Sequence, residues 1–361
     1  MQSIKAPSRD YPWHSCSRML CSKHAGLSMN ARPLIEVQDL SKSFLLRSPL
    51  SWVANKKTIK AVNNINFTIK KKETLALVGE SGCGKSTTGK LLLRLAQPTS
   101  GRILFEGKDF ANSNSKEMLV IRKKIQIIFQ DPYGSLSPRR NILQIIAEPL
   151  IAHGLVSNFT DQKEKVSELL KKVGLSPDHM SRYPKEFSGG QRQRIGIARA
   201  IAVEPAFIVA DEPVSALDVS VQAQIVNLLQ ELQEEKELSY LFISHDLRVV
   251  RHIAHRVAVM YLGEIIEEGP KDQIFNSPHH PYTQALMSAA PEPGTSSDKK
   301  RIILKGDVPS PMSIPSGCPF RTRCPLAQNI CEIEKPILKE VFPTQYASCH
   351  FSKPNPITSF N

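Results

Sequence analysis

Residues 79–87, GESGCGKST, restrict what this chain can fold into more than any other stretch. They fit the phosphate-loop pattern GxxxxGK(S/T) at every required position, so backbone amides can turn inward, Lys85 can reach the β- and γ-phosphates and Ser86 can ligate magnesium. The preceding run TLALV predicts a buried strand, and residues 87–95 predict a helix whose N-terminus attracts anions. We therefore predict a nucleotide site rather than a plain glycine turn, and its residues are Gly79, Glu80, Ser81, Gly82, Cys83, Gly84, Lys85, Ser86 and Thr87.

Bulk composition limits the class of protein. The chain has 361 residues, of which 41% are hydrophobic and 22% charged, as in soluble globular proteins with room for two domains. Its most apolar long stretch, residues 142–152, is interrupted by Gln144, Glu148 and Pro149 and is too short to cross a bilayer. The formal charge of +13 suits nucleic acid, an anionic membrane surface or polyphosphate, and does not choose among them.

The first part of the chain, residues 1–33, carries five Lys and Arg against one acid but lacks the apolar segment of a signal peptide. Met29 stands just before residues 34–37, LIEV, where ordered patterning begins. We therefore predict an N-terminal extension at 1–33. Translation from Met29 is as compatible with the sequence as translation from Met1.

Strand patterns lead from residue 34 to the phosphate loop. Among them, Phe44 lies 35 residues before Gly79 and could stack on an adenine ring, although a lone aromatic residue after a strand more often belongs to the core. The stretch IRKKIQIIFQDP predicts a strand that runs into Gln130. Apolar residues at helical spacing then predict a helical insertion at about 131–187.

Polar residues follow three later patterns. SGGQ at 188–191 opens a predicted helix and offers an anion-binding N-terminus. AFIVADEP predicts a buried strand that ends in Asp211 and Glu212. ELSYLFISHD predicts another buried strand, which ends at His245. Ligands of open α/β sheets bind outside the carboxyl ends of the strands, so these residues are site candidates. For each of them, a helix cap or a satisfied polar group is the structural alternative.

The order of these motifs resembles the ABC transporter ATPase family over about residues 34–265. The motifs that carry the resemblance are, in order, GESGCGKST, Gln130, FSGGQ, IVADEP, SALD and a histidine. The family's signature turn corresponds to SGGQ, which begins 23 residues before Asp211, and His245 lies 34 residues after Asp211. The resemblance implies an α/β P-loop ATPase domain with a RecA-like core, an antiparallel β subdomain and an α-helical subdomain. It also implies ATP hydrolysis.

The resemblance further implies that ATP and Mg²⁺ are bound by named residues. Lys85 and the loop amides would hold the phosphates, and Phe44 would be the aromatic platform for adenine. Magnesium would be held by Ser86 directly, by Asp211 commonly through water, and by Gln130.

The resemblance also implies catalytic roles for named residues. Glu212 would act as the general base toward the attacking water, and His245 would contact the γ-phosphate. Gln130 would link metal and water to the transport partner. The four residues of the signature turn would cover ATP bound by the other ATPase subunit; they are Ser188, Gly189, Gly190 and Gln191. A segment called the D-loop would follow Glu212, and its residues are Ser215, Ala216, Leu217 and Asp218.

The last quarter of the chain, residues 266–361, resembles the C-terminal extension of the dipeptide and oligopeptide permease ATPases. The resemblance rests on HHPYTQALMSAAP at 279–291 and GDVPSPMSIPSGCPFRTRCP at 306–325. The insertion at about 46–58 and the form GESGCGKSTTGKLLL resemble the F-type of the two ATPase subunits.

This branch implies a set of partners and a place in the cell. The partners are a homologous second ATPase subunit that completes a heterodimer, two transmembrane permease subunits and an external solute-binding protein, and no nucleic acid is expected. The chain would lie peripherally at the cytoplasmic face of the inner membrane. Di- and oligopeptides are the leading solutes, and nickel complexes, glutathione and antimicrobial peptides remain open.

Four cysteines near the C-terminus suggest a metal centre. Five, six and seventeen residues separate them, which is too wide for paired CxxC zinc knuckles. Arg321 and Arg323 could offset the charge of thiolates and sulfides. Some permease ATPases carry a four-iron cluster here, so the resemblance implies a 4Fe-4S cluster, with zinc or free thiols as alternatives. The predicted ligands are Cys318, Cys324, Cys331 and Cys349.

Two other classes of function remain. A soluble ABC-type ATPase acting on nucleic acid or ribosomes would suit the positive charge, but such proteins usually have two cassettes or a long coiled-coil insert, and neither is visible. A metal-sensing regulator built on a cassette would explain the cysteines but not HPYTQAL.

Overall fold

The computed structural model describes residues 32–46, 57–110, 113–131, 133–289 and 302–354. The predicted N-terminal extension with Met29 lies outside the described residues, apart from its last two positions. Most of the insertion at 46–58 also lies outside them.

The strands in the described part of the chain are β1 (Ile35–Leu46), β2 (Lys57–Ile69), β3 (Thr74–Val78), β4 (Ser100–Phe105), β5 (Lys108–Asp109), β6 (Ile125–Ile128), β7 (Phe207–Asp211), β8 (Ser239–Ser244), β9 (Arg256–Tyr261), β10 (Glu264–Pro270), β11 (Lys339–Phe342) and β12 (Gln345–Ala347). They form a four-stranded antiparallel sheet in the order β2-β1-β4-β5 and an eight-stranded mixed sheet in the order β11-β12-β10-β9-β3-β8-β7-β6.

The helices in the same described ranges are α1 (Lys85–Leu92), α2 (Ser115–Lys124), α3 (Ile142–Ala152), α4 (Phe159–Lys172), α5 (Gly189–Ile201), α6 (Val219–Lys236), α7 (Leu247–Ile253), α8 (Lys271–Asn276), α9 (Pro281–Ser288) and α10 (Ile330–Ile333). Two short 3₁₀ turns, Pro177–Ser181 and Pro184–Glu186, lie between α4 and α5. No helix in these described ranges has the length and apolar character needed to cross a membrane.

The centre of the larger sheet explains why distant motifs meet. Every residue of β3, β7 and β8 is buried, as expected for parallel strands covered on both faces. In the ladder, Val78 is paired with Ser244, and Asp211 with Ile243. The segments that follow these three strands therefore leave the same edge of the sheet, and they contain the phosphate loop, Glu212 and His245.

One predicted strand is partly wrong. Helix α2 runs through the first four residues of IRKKIQIIFQ, and β6 begins only at Ile125. The helix is set locally, because Asn114 and Glu117 form a capping box at its start. Basic residues in its last turn also favour the helix dipole.

The C-terminal part continues the larger sheet. The predicted boundary after residue 265 falls inside β10, and β12 pairs with β10 in antiparallel register. Buried Glu267 of β10 ties the segments together, since its carboxylate accepts hydrogen bonds from the backbone N–H groups of His279 and His280 and from the Gln345 side chain, at 2.7–2.8 Å. Burial raises the pKa of Glu267, while these hydrogen bonds oppose the rise.

Candidate nucleotide site

The phosphate loop joins β3 to α1, as the sequence predicts. Gly79 begins it with a φ of 152°, and a Cβ atom at this position would lie 2.2 Å from the backbone oxygen of Met260. Glycine is therefore required at the start of the loop.

Lys85 is folded back over the loop. Its side chain is buried, and Nζ donates hydrogen bonds to the backbone oxygens of Gly79 at 2.8 Å and Glu80 at 2.9 Å. The ammonium group therefore lies within the loop that would receive the phosphates. The neighbouring Cys83 thiol, 3.8 Å from Nζ, has its pKa raised by burial, so it is not an activated thiolate.

Ser86 and Asp211 meet as predicted for a magnesium site. The Ser86 hydroxyl donates to Asp211 Oδ1 at 2.8 Å. Burial raises the pKa of Asp211, the Ser86 hydrogen bond opposes this, and the charge of Glu212 adds to the rise. A hydroxyl and a carboxylate are hard oxygen ligands, so this pair fits Mg²⁺.

The three predicted catalytic side chains also meet. Gln130 Nε2 donates to Glu212 Oε2 at 2.8 Å, and His245 Nδ1 lies 3.3 Å from the same oxygen. Glu212 has a φ of 45°, an uncommon conformation for a residue other than glycine, while its N–H donates to Ile243 O at 3.0 Å. The chain thus turns sharply after β7 and presents the carboxylate between Gln130 and His245.

The signature turn forms the start of α5. The Gln191 N–H donates to Ser188 Oγ at 3.3 Å, and the Ser188 N–H donates to Gln191 Oε1 at 3.0 Å, which is a capping box. The amides of Gly189 and Gly190 belong to the first turn of α5, where helix N–H groups have no partner within the helix, and Ser188 is exposed. A Cβ atom at Gly190 would lie 2.4 Å from Val221 Cγ1, so this turn packs closely on α6.

The remaining predicted residues are placed at the surface. Phe44 on β1 is 42% exposed, which excludes its alternative role as a core aromatic. In the predicted D-loop, Ser215, Ala216 and Asp218 are exposed and Leu217 is half-buried. A Cβ atom at Gly189 would lie 3.3 Å from Leu217 Cδ2, so the D-loop and the signature turn are neighbours.

The four C-terminal cysteines line one pocket, together with His280, Phe320 and Arg321 among others. Burial raises the pKa of Cys318 and of Cys324 to about 11, and it also raises the pKa of Cys349. Within the described ranges, however, no group of three or more His, Cys, Asp or Glu side chains is arranged to hold a metal ion. The prediction of a metal centre, either iron–sulfur or zinc, is therefore not supported by this arrangement.

The sequence missed one set of contacts at the nucleotide site. From the sequence, Arg323 could offset negative charge at the cysteines, but its guanidinium pairs with Glu80 of the phosphate loop, at 2.8 Å from Nη1 to Oε2 and 3.0 Å from Nη2 to Oε1. The Glu80 N–H also donates to Tyr282 Oη at 2.9 Å. The only available signal was that Tyr282 lies in the HPYTQAL stretch.

The cassette and the C-terminal part of this chain each match a known protein family. Residues 62–215 match the ABC transporter family, and residues 266–331 match the family described as "Oligopeptide/dipeptide transporter, C-terminal region". The chain is 52% identical to the oligopeptide transport ATP-binding protein AppF of Bacillus subtilis, over 89% of this chain and 98% of AppF. It is 50% identical to the putative oligopeptide transport ATP-binding protein YkfD of the same organism, over 89% of this chain and 96% of YkfD.

Solved structures agree with these likenesses. The dimeric ATP-binding cassette MJ0796 bound to ADP and Pi has a TM-score of 0.58 at 29% identity and covers 66% of this chain and 98% of its own. CbiO1 of Clostridium perfringens, part of the ABC transporter complex cbiONQ, has a TM-score of 0.58 at 27% identity and covers 67% of this chain and 90% of its own. The predicted cassette fold and ATPase activity are confirmed. The chain belongs to the ABC transporter family, as an ATP-binding subunit of its oligopeptide transporter branch.

Proposed function

We propose that this chain hydrolyses ATP to power the import of di- or oligopeptides. The observation that carries the proposal is the combination of two matches in one chain, an ABC cassette and the C-terminal region of oligopeptide transporters. The names of AppF and YkfD point to the same solutes. The 46–58 insertion and the phosphate-loop sequence favour the F-type subunit.

In the proposed site, the loop amides and Lys85 bind the β- and γ-phosphates, and Phe44 stacks on adenine. Ser86, Asp211 and Gln130 are the residues that would hold Mg²⁺, which neutralises charge on the phosphates when it is bound. The 2.8 Å contact from Ser86 to Asp211 supports this assignment, because it already brings two of these oxygen ligands together.

Glu212 is the proposed general base. Its carboxylate would accept a proton from the attacking water, and Gln130 and His245 would orient that carboxylate and the γ-phosphate. The shared contacts of Gln130 and His245 with Glu212 Oε2 support these roles. Since Gln130 is exposed, it can also meet a transport partner.

A second ATPase subunit completes each site in this proposal. The exposed Ser188, with the amides at the start of α5, would cover the γ-phosphate on the partner, and the neighbouring D-loop would lie at the same interface. ATP would therefore hold the two subunits together, and hydrolysis would release them. The assembly would include two permease subunits and an external solute-binding protein, with this chain at the cytoplasmic face of the membrane.

Peptide uptake by membrane vesicles tests the transport proposal. Vesicles that contain the whole transporter should accumulate a labelled tripeptide when ATP is enclosed, whereas Lys85→Ala should reduce uptake about 50-fold, because the phosphates lose their ammonium partner. The four subunits should copurify from the membrane. Recovery of this chain with nucleic acid or ribosomes, without permeases, would instead favour the alternative ATPase function.

For the four cysteines we propose a 4Fe-4S cluster. A four-iron cluster is larger than one ion, so its thiolates stand farther apart than those around a single zinc ion. The pocket supports this set of ligands in two ways, because all four cysteines line it and the Leu326 N–H donates to Cys324 Sγ at 3.4 Å. The residues that would hold the cluster are Cys318, Cys324, Cys331 and Cys349.

Metal analysis tests this second proposal. Protein purified anaerobically should contain iron and acid-labile sulfide and absorb near about 400 nm. Cys331→Ser should lose the iron, and Cys83→Ser should keep it, because Cys83 lies in the phosphate loop. Stoichiometric zinc in a colourless protein would favour the zinc alternative, and metal-free protein would favour free thiols.

A further inference from the structure

The C-terminal extension holds one residue of the phosphate loop from two sides. Arg323 grips the Glu80 carboxylate with both terminal nitrogens, and Tyr282 accepts a hydrogen bond from the Glu80 backbone. Arg323 lies 243 residues from Glu80 in the sequence, so the contact depends on how the extension is docked. None of the roles assigned to the cassette motifs requires the contact between Arg323 and Glu80.

The groups that present Arg323 are closely packed. Phe320 contacts Tyr261 and Tyr282, with ring centroids 5.4 and 5.5 Å apart, and all three rings are essentially buried. The Arg323 N–H donates to Phe320 O at 3.0 Å. The Arg323 side chain is 8% exposed and the Glu80 side chain 29%, so water screens this pair less than it screens a surface ion pair.

Glu80 also has a direct link to the phosphate-binding lysine. Its backbone oxygen accepts a hydrogen bond from Lys85 Nζ, while its side chain places a negative charge in a loop that receives a triphosphate. A carboxylate without a counter-charge would repel ATP and would leave the loop free to turn. Arg323 offsets that charge and fixes the residue at the same time.

We propose that Arg323 is a positioning residue of the ATP site, through which the C-terminal extension sets the conformation and charge of the phosphate loop. The inference rests on the proposed assignment of residues 79–87 as the phosphate-binding loop. ATP affinity of this chain then depends on the docked extension, in addition to the motifs of the cassette.

Equilibrium binding of the fluorescent analogue mant-ATP with Mg²⁺ to the full chain tests this. Arg323→Gln should raise Kd about tenfold, because the Glu80 carboxylate then has no counter-charge and repels the phosphates. Removing that carboxylate as well, in Glu80→Gln/Arg323→Gln, should bring Kd back to within about threefold of the unmodified chain. Loss of stability alone would not be relieved by the second substitution.

Lys335→Gln is the matched control. Lys335 also lies in the extension and also pairs with a carboxylate, Glu264, at 2.6 Å, but outside the phosphate loop, so its loss should change Kd less than about twofold. Equal Kd values for the Arg323 and Lys335 variants, or no recovery in the double variant, would overturn the inference.

Two further variants keep the test decisive. Arg323→Lys retains the charge but loses the two-pronged contact, so an intermediate Kd is expected, and this variant replaces Arg323→Gln if the latter does not fold. Lys85→Ala separates the two hypotheses. Unchanged binding in Lys85→Ala would contradict the phosphate-loop assignment itself, whereas weakened binding there with normal binding in both Arg323 variants would contradict only the role of Arg323.

Discussion

Replacing Glu212 by glutamine should leave ATP binding intact and lower the rate of hydrolysis about a thousandfold. Glutamine has almost the same shape and can still meet Gln130 and His245, but it cannot take a proton from water. The effect should therefore fall on kcat rather than on nucleotide affinity. Phosphate release at saturating ATP and Mg²⁺, together with mant-ATP binding to the same preparation, measures the two quantities separately.

Glu204→Gln provides a matched control for this change. Glu204 also has a positive φ, of 52°, but its side chain is 82% exposed and pairs with Lys236 outside the site. Its replacement should leave hydrolysis within about twofold of the unmodified rate. If Glu212→Gln hydrolysed ATP as fast as the Glu204 variant, the assignment of Glu212 as the base would be wrong.

The proximity of the candidate site residues could be predicted from the sequence because the geometry there follows from local patterns. Apolar runs identify β3, β7 and β8, and parallel strands bring their carboxyl ends to one edge of the sheet. Residues just after such strands, including Glu212 and His245, must then lie close together. Gln130 follows β6, which pairs with β7, so its contact with Glu212 results from the same sheet.

Other features could not be predicted because they depend on long-range docking or on competition between local signals. The stretch 121–124 directly precedes the apolar run of β6, yet the helix that begins at the capping box of α2 runs through it. The pairing of β12 with β10 and the contact of Arg323 with Glu80 join segments far apart in sequence, and no periodic pattern marks either one. In the sequence, the nearest groups that could explain Arg323 are the cysteines, whose negative charge it could offset. The fold instead places its guanidinium against Glu80.

Replacing Ser188 by arginine should leave ATP binding to the isolated chain unchanged and reduce hydrolysis by the assembled transporter about 10²–10³-fold. Ser188 is exposed at the start of α5 and does not belong to the phosphate loop of its own chain. A bulky side chain there would separate the signature amides from the γ-phosphate held by the other subunit. Binding should be measured with mant-ATP, and hydrolysis by phosphate release from the purified complex.

Asn158→Arg distinguishes this interfacial effect from the loss of a helix cap. Asn158 is the exposed N-cap of α4 and accepts a hydrogen bond from the Asp161 N–H at 2.9 Å, so its replacement removes a comparable cap. Because α4 has no assigned role at the ATP interface, hydrolysis should stay within about twofold of normal. Equal losses in both variants would mean that the Ser188 effect comes from helix stability. A loss confined to Ser188→Arg, with normal ATP binding, requires that the site be completed by the signature turn of a second subunit.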